Sequence, residues 1–461
     1  MIYPALHIQN IYDALNPLGT GVSGYLKIKC LQMQDRVVGL ANPGDIVAIS
    51  ADCPQAFVEY LQRITGITDM LTLRYKVSRD LRERINATSV FSSLIQDPRW
   101  EEARRRNPTL DPYMQSPAIY EAARAAGLAI PQETWKAAVT DRLTEKMNDK
   151  AILYQECENL GIPVPGYWVT DSGRVANHVI SLLREGHSPL YVRQTRSGGA
   201  FGNITVEQAY SKYIIHELGN RTLSHNEFIQ ALEHFIKTGF GEEFLITELL
   251  DLYASPGTLF FADDAGITVL SHTYQILQQN RRFLGFMYPV EDDMISNHFK
   301  VIERSIHLLI EPWRQLGYRG YGNIDWMVTK DGASFIAERN ARQTAVIPPL
   351  KIANELSQPG MSSQSVIPPA LSIFTMDRVY FDRLVTFEDV HAELREKRLL
   401  WEQSKSGEGV VITVPPLPGF GINSAGIMAV GSNLPAAHDI YRRTLHALGS
   451  GEDALLFTPK L

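Results

Sequence analysis

A stretch in the second half of the chain combines acidic and amide side chains in a pattern that could bind a metal ion. Gly322–Arg342 contains two apolar-alternating runs, Asn323–Thr329 and Ser334–Asn340, on either side of an Asp331-Gly332 pair. An Asp-Gly pair between such runs predicts a β-hairpin with a two-residue turn, because Gly accepts the positive φ that a type I′ turn requires.

The register of that hairpin predicts a shared polar face. A two-residue turn at Asp331-Gly332 sets Asp325 directly opposite Glu338, and strand alternation puts Asn340 on the same face as Glu338. The same register turns Ile324, Trp326 and Val328 to the other face, opposite Ala337 and Phe335. Three hard oxygen ligands on a rigid hairpin suit Mg²⁺ bound together with phosphates. The alternative is an ordinary solvated hairpin that happens to carry acidic residues.

A glycine-rich segment could cradle phosphate groups. Ser197–Gly202, SGGAFG, follows a short apolar strand, 190–192, that ends at Arg193. Backbone amides in such a segment can approach phosphate oxygens closely, because glycine has no side chain in the way. A plain surface turn is the alternative.

Arg281 and Arg282 form a second candidate for anion binding. Paired arginines can hold a substrate carboxylate or a γ-phosphate by bidentate hydrogen bonds. They could equally lie in a solvated loop, and both alternatives stay open.

Composition excludes several classes of function. A net charge of −7 argues against a nucleic-acid or anionic-membrane surface, because both favour a basic field. No apolar run approaches the length of about 20 residues that a membrane helix needs. The start of the chain has no basic segment followed by an apolar one, so no signal peptide is expected. Cys30, Cys53 and Cys157 are too dispersed for a zinc cluster or a disulfide framework, which favours a reducing cytoplasm.

The elements that would position these residues fall into several domains, since 461 residues exceed one core. Near the N-terminus, strands at 46–49 and 72–77 alternate with a helix at 54–64, which predicts a parallel sheet. Ser116-Pro117 predicts the start of a further helix that ends at Gly127. Pro348-Pro349 and Pro359–Pro369 predict a mostly irregular passage after the hairpin.

A helix with Asn148 as its N-cap is predicted to end at Gly161. Lys150 lies in its first turn, and the phrase GIPVPGYWV follows. Taken alone, such a lysine is usually solvated.

Several of these motifs, in this order, resemble the ATP-grasp superfamily over residues 145–345. They are Asp149-Lys150 before GIPVP, the SGGAFG loop, the FLITE strand at 244–248, and Glu338-x-Asn340-x-Arg342 after Asp325. PGDIVAIS and LDPYMQSP, before residue 145, are similar to the pre-ATP-grasp domain of peptide ligases of the pheganomycin type.

The resemblance implies a fold and a division of the chain. We expect an α/β fold, with α+β ATP-grasp catalytic lobes after an N-terminal α/β pre-ATP-grasp domain. The expected domains are an N-terminal domain at 1–145, lobe 1 at 146–250, lobe 2 with the hairpin at 251–355, and a C-terminal region at 356–461.

The resemblance also implies roles for particular residues. The metal would be held by Asp325, Glu338 and Asn340. The implied nucleotide contacts are Lys150, Arg193, Ser197, Gly198, Gly199, Gly202, Glu248, Leu250 and, for the ribose, Asp251. Arg342, with Arg281 or Arg282, would supply positive charge for catalysis.

Two positions depart from the superfamily pattern. Arg193 stands where a lysine is usual, which keeps the charge but changes the geometry of phosphate binding. Asn323 stands where some branches have a catalytic arginine two residues before the metal carboxylate.

The function that the resemblance implies is an ATP-dependent carboxylate–amine ligase that forms a peptide or amide bond and releases ADP. Its cofactors would be ATP with Mg²⁺ or Mn²⁺, and its partners small carboxylate and amine substrates such as amino acids or short peptides. Nucleic acid and membrane are not expected as partners, and a homodimer is left open. The alternatives are carboxylase-type ATP-grasp chemistry and a non-catalytic nucleotide-binding protein on the same fold.

Overall fold

The structure is a computed structural model that describes residues 4–14, 30–80, 83, 85–196, 203–210, 212–216, 221–239, 242–278, 282–357, 371–404 and 406–449. The side chains of residues 235, 237–239 and 282 lie outside that description. Within the described part of the chain, no helix is both long and apolar enough to cross a membrane.

A parallel sheet forms the centre of the N-terminal part. Its strands are β1 Ala5–Ile8, β2 Ile46–Ser50, β3 Leu71–Tyr75 and β4 Thr109–Pro112. They are arranged in the order β3-β2-β1-β4, and every neighbouring pair is parallel. This confirms the predicted parallel sheet and its two predicted strands.

Short helices surround this sheet. They are α1 Ile11–Ala14, α2 Gln55–Thr65, α3 Ala87–Leu94, α4 Trp100–Arg105, α5 Pro117–Ala125, α6 Gln132–Trp135 and α7 Leu143–Met147, with a 3-10 turn at Asp35–Leu40 and a π-helical turn at Lys136–Thr140. Helix α5 begins as predicted, because Ser116 Oγ accepts the N–H of Ile119 at 3.3 Å and Pro117 needs no partner in the first position.

A second sheet is antiparallel. It contains β5 Tyr167–Asp171, β6 Leu190–Gln194, β7 Ile204–Ala209, β8 Lys212–Ile215, β9 Arg221–Leu223 and β10 Glu243–Glu248, in the order β5-β10-β6-β7-β8-β9. Helices α8 Lys150–Leu160, α9 Val175–Arg184 and α10 His225–Gly239 belong to the same part of the chain.

Helix α8 corrects one detail of the prediction. It ends at Gly161, which has a φ of +66°, as expected. Its N-cap, however, is Asp149 and not Asn148: Asp149 Oδ1 accepts the N–H groups of Ala151 at 3.0 Å and Ile152 at 3.4 Å. A carboxylate at this position also interacts favourably with the positive end of the helix dipole.

The third sheet has nine strands, which come from the part of the chain after β10. Its strands are β11 Leu252–Ala254, β12 Pro256–Ala262, β13 Ile267–Gln278, β14 Arg282–Tyr288, β15 Gly320–Thr329, β16 Ser334–Asn340, β17 Ser372–Tyr380, β18 Gly409–Val414 and β19 Ser424–Gly431. The order is β11-β15-β12-β13-β14-β17-β19-β18, with β16 paired to β15. Strands from the C-terminal region therefore extend the sheet that carries the hairpin.

The helices of this part are α11 Asp293–Ser296, α12 Phe299–Gln315, α13 Ile347–Ser357, α14 Phe387–Glu396 and α15 Leu434–Ala447, with 3-10 turns at Trp401–Gln403 and Pro418–Phe420. Helix α13 shows that the irregular passage predicted at Pro348-Pro349 was wrong. Both prolines lie in the first turn of the helix, where a missing N–H leaves no hydrogen bond unmade. Pro359–Pro369 lies outside the described residues.

The sheet is tightest where β14 meets β17. Gly285 pairs with Met376, and a Cβ atom built on Gly285 would lie 1.9 Å from the carbonyl oxygen of Thr375. Only glycine permits so close an approach between the two backbones. On this side of the sheet, helix α2 and the 3-10 turn share one apolar core with the C-terminal strands, through residues such as Phe57 and Ile427.

The β15–β16 hairpin confirms the decisive pair of the prediction and corrects its tip. Asp325 lies opposite Glu338. The two-residue turn at Asp331-Gly332 is wrong, because the N–H of Thr329 bonds the carbonyl of Ala333 at 2.9 Å and leaves a three-residue loop.

A β-bulge cancels that shift. Trp326 pairs with Ile336 while Asp325 pairs with Glu338, so Ala337 is an extra residue in β16. The predicted partners of the apolar face are accordingly wrong: Val328 pairs with Ser334, and Ala337 lines a cavity beside Glu338.

Candidate active site

The polar face of the hairpin carries the predicted metal ligands together. Asp325 and Asn340 are in direct contact, with Asn340 Nδ2 donating to Asp325 Oδ2 at 2.8 Å. Gln275 Nε2 and Asn323 Nδ2 both donate to Asp325 Oδ1 at 2.5 Å. Asn323, which departs from the superfamily pattern, therefore orients the central carboxylate.

The electrostatics of this face favour a cation. Burial, together with the nearby negative charge of Glu338, raises the pKa of Asp325 to about 7, although hydrogen bonds from Gln275 and the charge of Arg342 oppose the shift. Two neighbouring carboxylates in a partly buried position repel each other unless a positive charge lies between them.

The donor set fits a hard divalent ion. The Oδ1 atom of Asn340 is buried and has no hydrogen-bond partner among the described residues, so an acceptor oxygen is left over beside the two carboxylates. Within the described residues no group of three or more His, Cys, Asp or Glu side chains could hold a metal, so a site here needs the asparagine. Carboxylate and amide oxygens are the ligands that Mg²⁺ accepts, with water and phosphate oxygens completing its shell.

Lys150 on helix α8 and Arg193 on β6 of the second sheet bring positive charge to the polar face of the hairpin. Lys150 Nζ lies 3.4 Å from Glu338 Oε1, and its side chain is only 2% exposed. Burial lowers the pKa of Lys150, and Glu338 partly offsets this. Arg193 Nη1 donates to the carbonyl of Ala337 at 3.2 Å, and Nη2 donates to Tyr154 Oη at 2.9 Å.

Arg193 retains unused hydrogen-bonding capacity. Its Nε atom is buried and finds no hydrogen-bond partner in the part of the chain that the structure describes, although the side chain lines the cavity. A guanidinium held in this way presents a fixed charge to a ligand in the cavity.

Arg342 is clamped from two sides. Its Nε donates to Tyr113 Oη at 3.1 Å, and its Nη1 donates to Asn148 Oδ1 at 3.0 Å. Asn148 Oδ1 also accepts the N–H of Ala341 at 2.9 Å. Asn148 thus fixes the end of β16 instead of capping helix α8. Burial alone would lower the pKa of Arg342, but Tyr113 and the nearby carboxylates raise it above its usual value.

The segment after β10 borders the cavity. Glu248, Leu249 and Leu250 line it, in the region predicted to meet a nucleotide base. Glu248 Oε1 also lies 3.0 Å from His187 Nδ1. Asp251 is not brought to the site: it is not among the lining residues, and its Oδ2 accepts a bond from Lys330 Nζ at 2.7 Å on the surface.

Two other groups of predicted residues are not placed. Ser197, Gly198, Gly199 and Gly202 lie outside the described residues, as does Arg281. Arg282 begins β14, but its side chain is outside the description.

All of the placed groups except Lys150 and Asp251 line one cavity of about 320 Å³. The predicted residues on its wall are Arg193, Glu248, Leu250, Asp325, Glu338, Asn340 and Arg342. The cavity also reaches the N-terminal part of the chain, where Arg36 and Tyr113 line it.

Comparison with solved structures identifies the architecture. An ADP complex of the N5-carboxyaminoimidazole ribonucleotide synthetase PurK matches 97% of this chain and 98% of its own, at 12% identity and a TM-score of 0.51. The L-amino acid ligase of Bacillus licheniformis matches 96% of each chain at 13% identity and a TM-score of 0.52. The biotin carboxylase of Campylobacter jejuni, bound to a β-γ-ATP ligand, matches 97% of this chain and 92% of its own at 14% identity and a TM-score of 0.55.

The chain has the ATP-grasp fold. No protein-family model matches it, and a search of curated proteins found no match. The expected α/β class with ATP-grasp lobes is confirmed. The domain boundaries at 145, 250 and 355 stay predictions; β17 to β19 share one sheet with β11 to β16.

Several residues around the candidate site were missed from sequence. Tyr113, Gln275 and Asn148 touch predicted site residues but were not themselves predicted to belong to the site. Two of them lie in or beside a quoted motif: Tyr113 is part of LDPYMQSP, and Asn148 directly precedes Asp149-Lys150. The contacts of Tyr113 and Gln275 could not be predicted, because each joins residues at least 50 positions apart in the chain.

Proposed function

We propose that this protein is an ATP-dependent carboxylate–amine ligase that forms a peptide or amide bond through an acyl-phosphate and releases ADP and phosphate. The observation that carries the proposal is the hairpin face, where Asp325, Glu338 and Asn340 present oxygen ligands beside three cationic side chains. An oxygen-rich cation site next to fixed positive charge suits the triphosphate of ATP.

The proposed reaction has two steps. A carboxylate oxygen attacks the γ-phosphorus of ATP, the bond from that phosphorus to the β–γ bridging oxygen breaks, and ADP leaves. The amine nitrogen then attacks the carbonyl carbon of the acyl-phosphate, the bond to the phosphate oxygen breaks, and the nitrogen gives up a proton. Neither step needs an oxidant or a further co-reactant.

The residues of the chain would share this work. Asp325, Glu338 and Asn340 would hold Mg²⁺, which when bound offsets negative charge on the phosphates. Lys150 and Arg193 would bind phosphate oxygens from the side of helix α8 and β6. Arg342, held by Tyr113 and Asn148, would stabilise the charge that develops on the transferring phosphoryl group.

The proposed substrates are small molecules, amino acids or short peptides, and the proposed location is the cytoplasm. The structural likeness to an L-amino acid ligase supports this substrate class. The likeness to biotin carboxylase and to PurK keeps carboxylase-type chemistry as the alternative to be tested.

A coupled ADP-release assay over pairs of amino acids and dipeptides, with Mg²⁺ and ATP, tests the proposal. We expect one or more pairs to release ADP and to yield a condensed product by mass spectrometry. Glu338→Gln should abolish the release while keeping the thermal midpoint of unfolding. Asp264→Asn, which changes a carboxylate that is 95% exposed, is the matched control. Release of AMP and pyrophosphate, or ADP release that requires bicarbonate, would contradict the proposal.

A further inference from the structure

One arginine in the cavity is buried, and no described residue supplies it with a counter-charge. Arg36 is 6% exposed, lies in the 3-10 turn Asp35–Leu40, and lines the cavity that holds the hairpin face. Its Nε donates to Gln9 Oε1 at 3.5 Å, and its guanidinium carbon lies 5.8 Å from the ring centroid of Tyr113. It forms no ion pair with any residue that the structure describes.

The neighbouring sequence does not supply the missing charge either. Residues 15–29, which lie outside the described part of the chain shortly before Arg36, contain no Asp or Glu. A buried guanidinium without an anion is costly, because its desolvation is not repaid by Coulomb attraction or by charge-assisted hydrogen bonds. Such a group is therefore suited to an anion that arrives with a ligand.

The shape of a guanidinium selects the anion. Its planar fork matches a carboxylate or a phosphate. The proposed phosphate side of the cavity already has Arg193 and the hairpin face, with Lys150 beside Glu338. Arg36 instead shares its wall with apolar residues of the same N-terminal part: Ile11, Ala14, Cys30 and Met33. A carboxylate attached to an apolar body fits these surroundings.

Tyr113 relates Arg36 to the proposed catalytic arginine. The guanidinium carbon of Arg342 lies 5.9 Å from the ring centroid of Tyr113, nearly the same distance as that of Arg36. Both arginines thus contact one aromatic ring. A small molecule that binds Arg36 through its carboxylate can place a neighbouring functional group of the same molecule near Arg342.

We propose that Arg36 binds the free carboxylate of the amine substrate, and that this substrate is an α-amino acid with an apolar side chain. This inference rests on the proposed ligase function and deepens it. In an α-amino acid one carbon separates the carboxylate from the amine, so anchoring the carboxylate places the amine. The carboxylate that accepts phosphate belongs instead beside Arg342 and the hairpin face, where the γ-phosphate would lie.

The test compares L-leucine with L-leucinamide, in which a neutral NH2 group replaces the negatively charged carboxylate oxygen. Calorimetry is carried out on the full chain in the presence of Mg²⁺ and ADP. We expect leucine to bind at least tenfold more tightly than leucinamide, and this preference to disappear in Arg36→Met. Arg184→Gln, an exposed arginine on helix α9, is the matched control and should keep the preference. Equal binding of both ligands, or no binding of either, by the parent protein overturns the inference.

Thermal unfolding without ligand separates a binding role from a structural one. Met preserves the apolar stem of Arg36 and removes the buried charge, so the midpoint of Arg36→Met should be equal to or higher than that of the parent. A midpoint several degrees lower, with the leucine preference intact, would show that Arg36 serves folding and would overturn the inference. Arg36→Lys, which keeps the charge without the fork, should retain part of the preference.

Two further measurements separate this inference from the ligase proposal itself. Failure of the parent protein to bind ADP with Mg²⁺ would contradict the proposed function. Nucleotide binding without a leucine preference would contradict only the role of Arg36. Formation of leucine hydroxamate from leucine, ATP and hydroxylamine, lost in Arg36→Met, would assign Arg36 to the activated carboxylate and overturn the assignment to the amine substrate.

Discussion

Of the proposed site residues, Arg342 has the position from which we expect a substitution to lower the reaction rate most clearly. It follows the polar face of β16, and Tyr113 and Asn148 hold two of its nitrogens. A charge that matters most in the transition state lowers kcat and kcat/KM together when it is removed. We expect Arg342→Ala to lose about a hundredfold in rate, or about 3 kcal/mol, in steady-state ADP release.

Calorimetry with ATP and Mg²⁺ supplies the control for that variant. Nucleotide affinity should change less than the rate, and Arg342→Lys should recover part of the loss because it keeps the charge without the fork. A rate within threefold of the parent would remove Arg342 from the mechanism, and loss of nucleotide binding alone would make it a nucleotide ligand.

The buried carboxylate of Asp35, next to Arg36 in the 3-10 turn, predicts a free energy of unfolding that depends on pH. Burial raises the pKa of Asp35 to about 7, although its carboxylate accepts the N–H of Ser50 at 3.0 Å. The folded state then binds a proton more tightly than the unfolded state, so this group makes the free energy of unfolding fall as pH rises from about 4 to about 7. Asp35→Asn should be more stable than the parent at pH 8, by an upper value of about 4 kcal/mol at about 1.4 kcal/mol for each pKa unit.

Urea unfolding at pH 5 and pH 8 measures this difference, which should be smaller at pH 5. Asp69→Asn, an exposed carboxylate of the same N-terminal part, should show no comparable change. An Asp35→Asn variant that is less stable than the parent at both pH values would mean that the charged carboxylate is favoured in the fold.

At the scale of elements, the junction of β14 and β17 joins the hairpin sheet to the C-terminal strands. A Cβ atom on Gly285 would meet the backbone oxygen of Thr375, which cannot move without breaking the strand pairing. We expect Gly285→Ala to cost about 1 to 3 kcal/mol of unfolding free energy, measured by urea denaturation. Gly419→Ala is the control, because the nearest atom to its Cβ lies 3.8 Å away. Equal stability of the two variants would contradict the tight junction.

The hairpin shows how far sequence reasoning reaches and where it stops. Strand alternation and Asp331-Gly332 were enough to pair Asp325 with Glu338. The sequence did not predict the length of the loop or the bulge at Ala337. Each of them shifts the register by one residue, and the two shifts cancel. The pairing was therefore correct at the ligands and wrong near the tip.

At the scale of the whole molecule, the N-terminal part contributes directly to the cavity. Tyr113, which follows β4, reaches Arg342 across 229 positions of sequence. No periodicity or motif predicts a contact between two units so distant in the chain. The motif residues could be predicted because they share strands, whereas Tyr113 and Arg36 depend on how separate sheets pack.

Tyr113→Phe tests this contribution. The change removes the hydroxyl that accepts from Arg342 and keeps the ring, so the guanidinium loses one of its supports. We expect kcat for ADP release to fall by about threefold to tenfold, consistent with one hydrogen bond of about 1 kcal/mol, with little change in thermal midpoint. Tyr441→Phe is the control, since the buried hydroxyl of Tyr441 has no hydrogen-bond partner. An unchanged kcat for Tyr113→Phe would show that the N-terminal part does not support catalysis through this bond.

The bulge at Ala337 has a thermodynamic consequence. Its carbonyl accepts from Arg193 on the second sheet, and the same rigid peptide unit continues into Glu338 on the third. A ligand that draws Arg193 toward its phosphates therefore also acts on the position of Glu338, a proposed metal ligand. Binding of nucleotide and of cation should then be cooperative, and by linkage each must change the affinity of the other by the same factor.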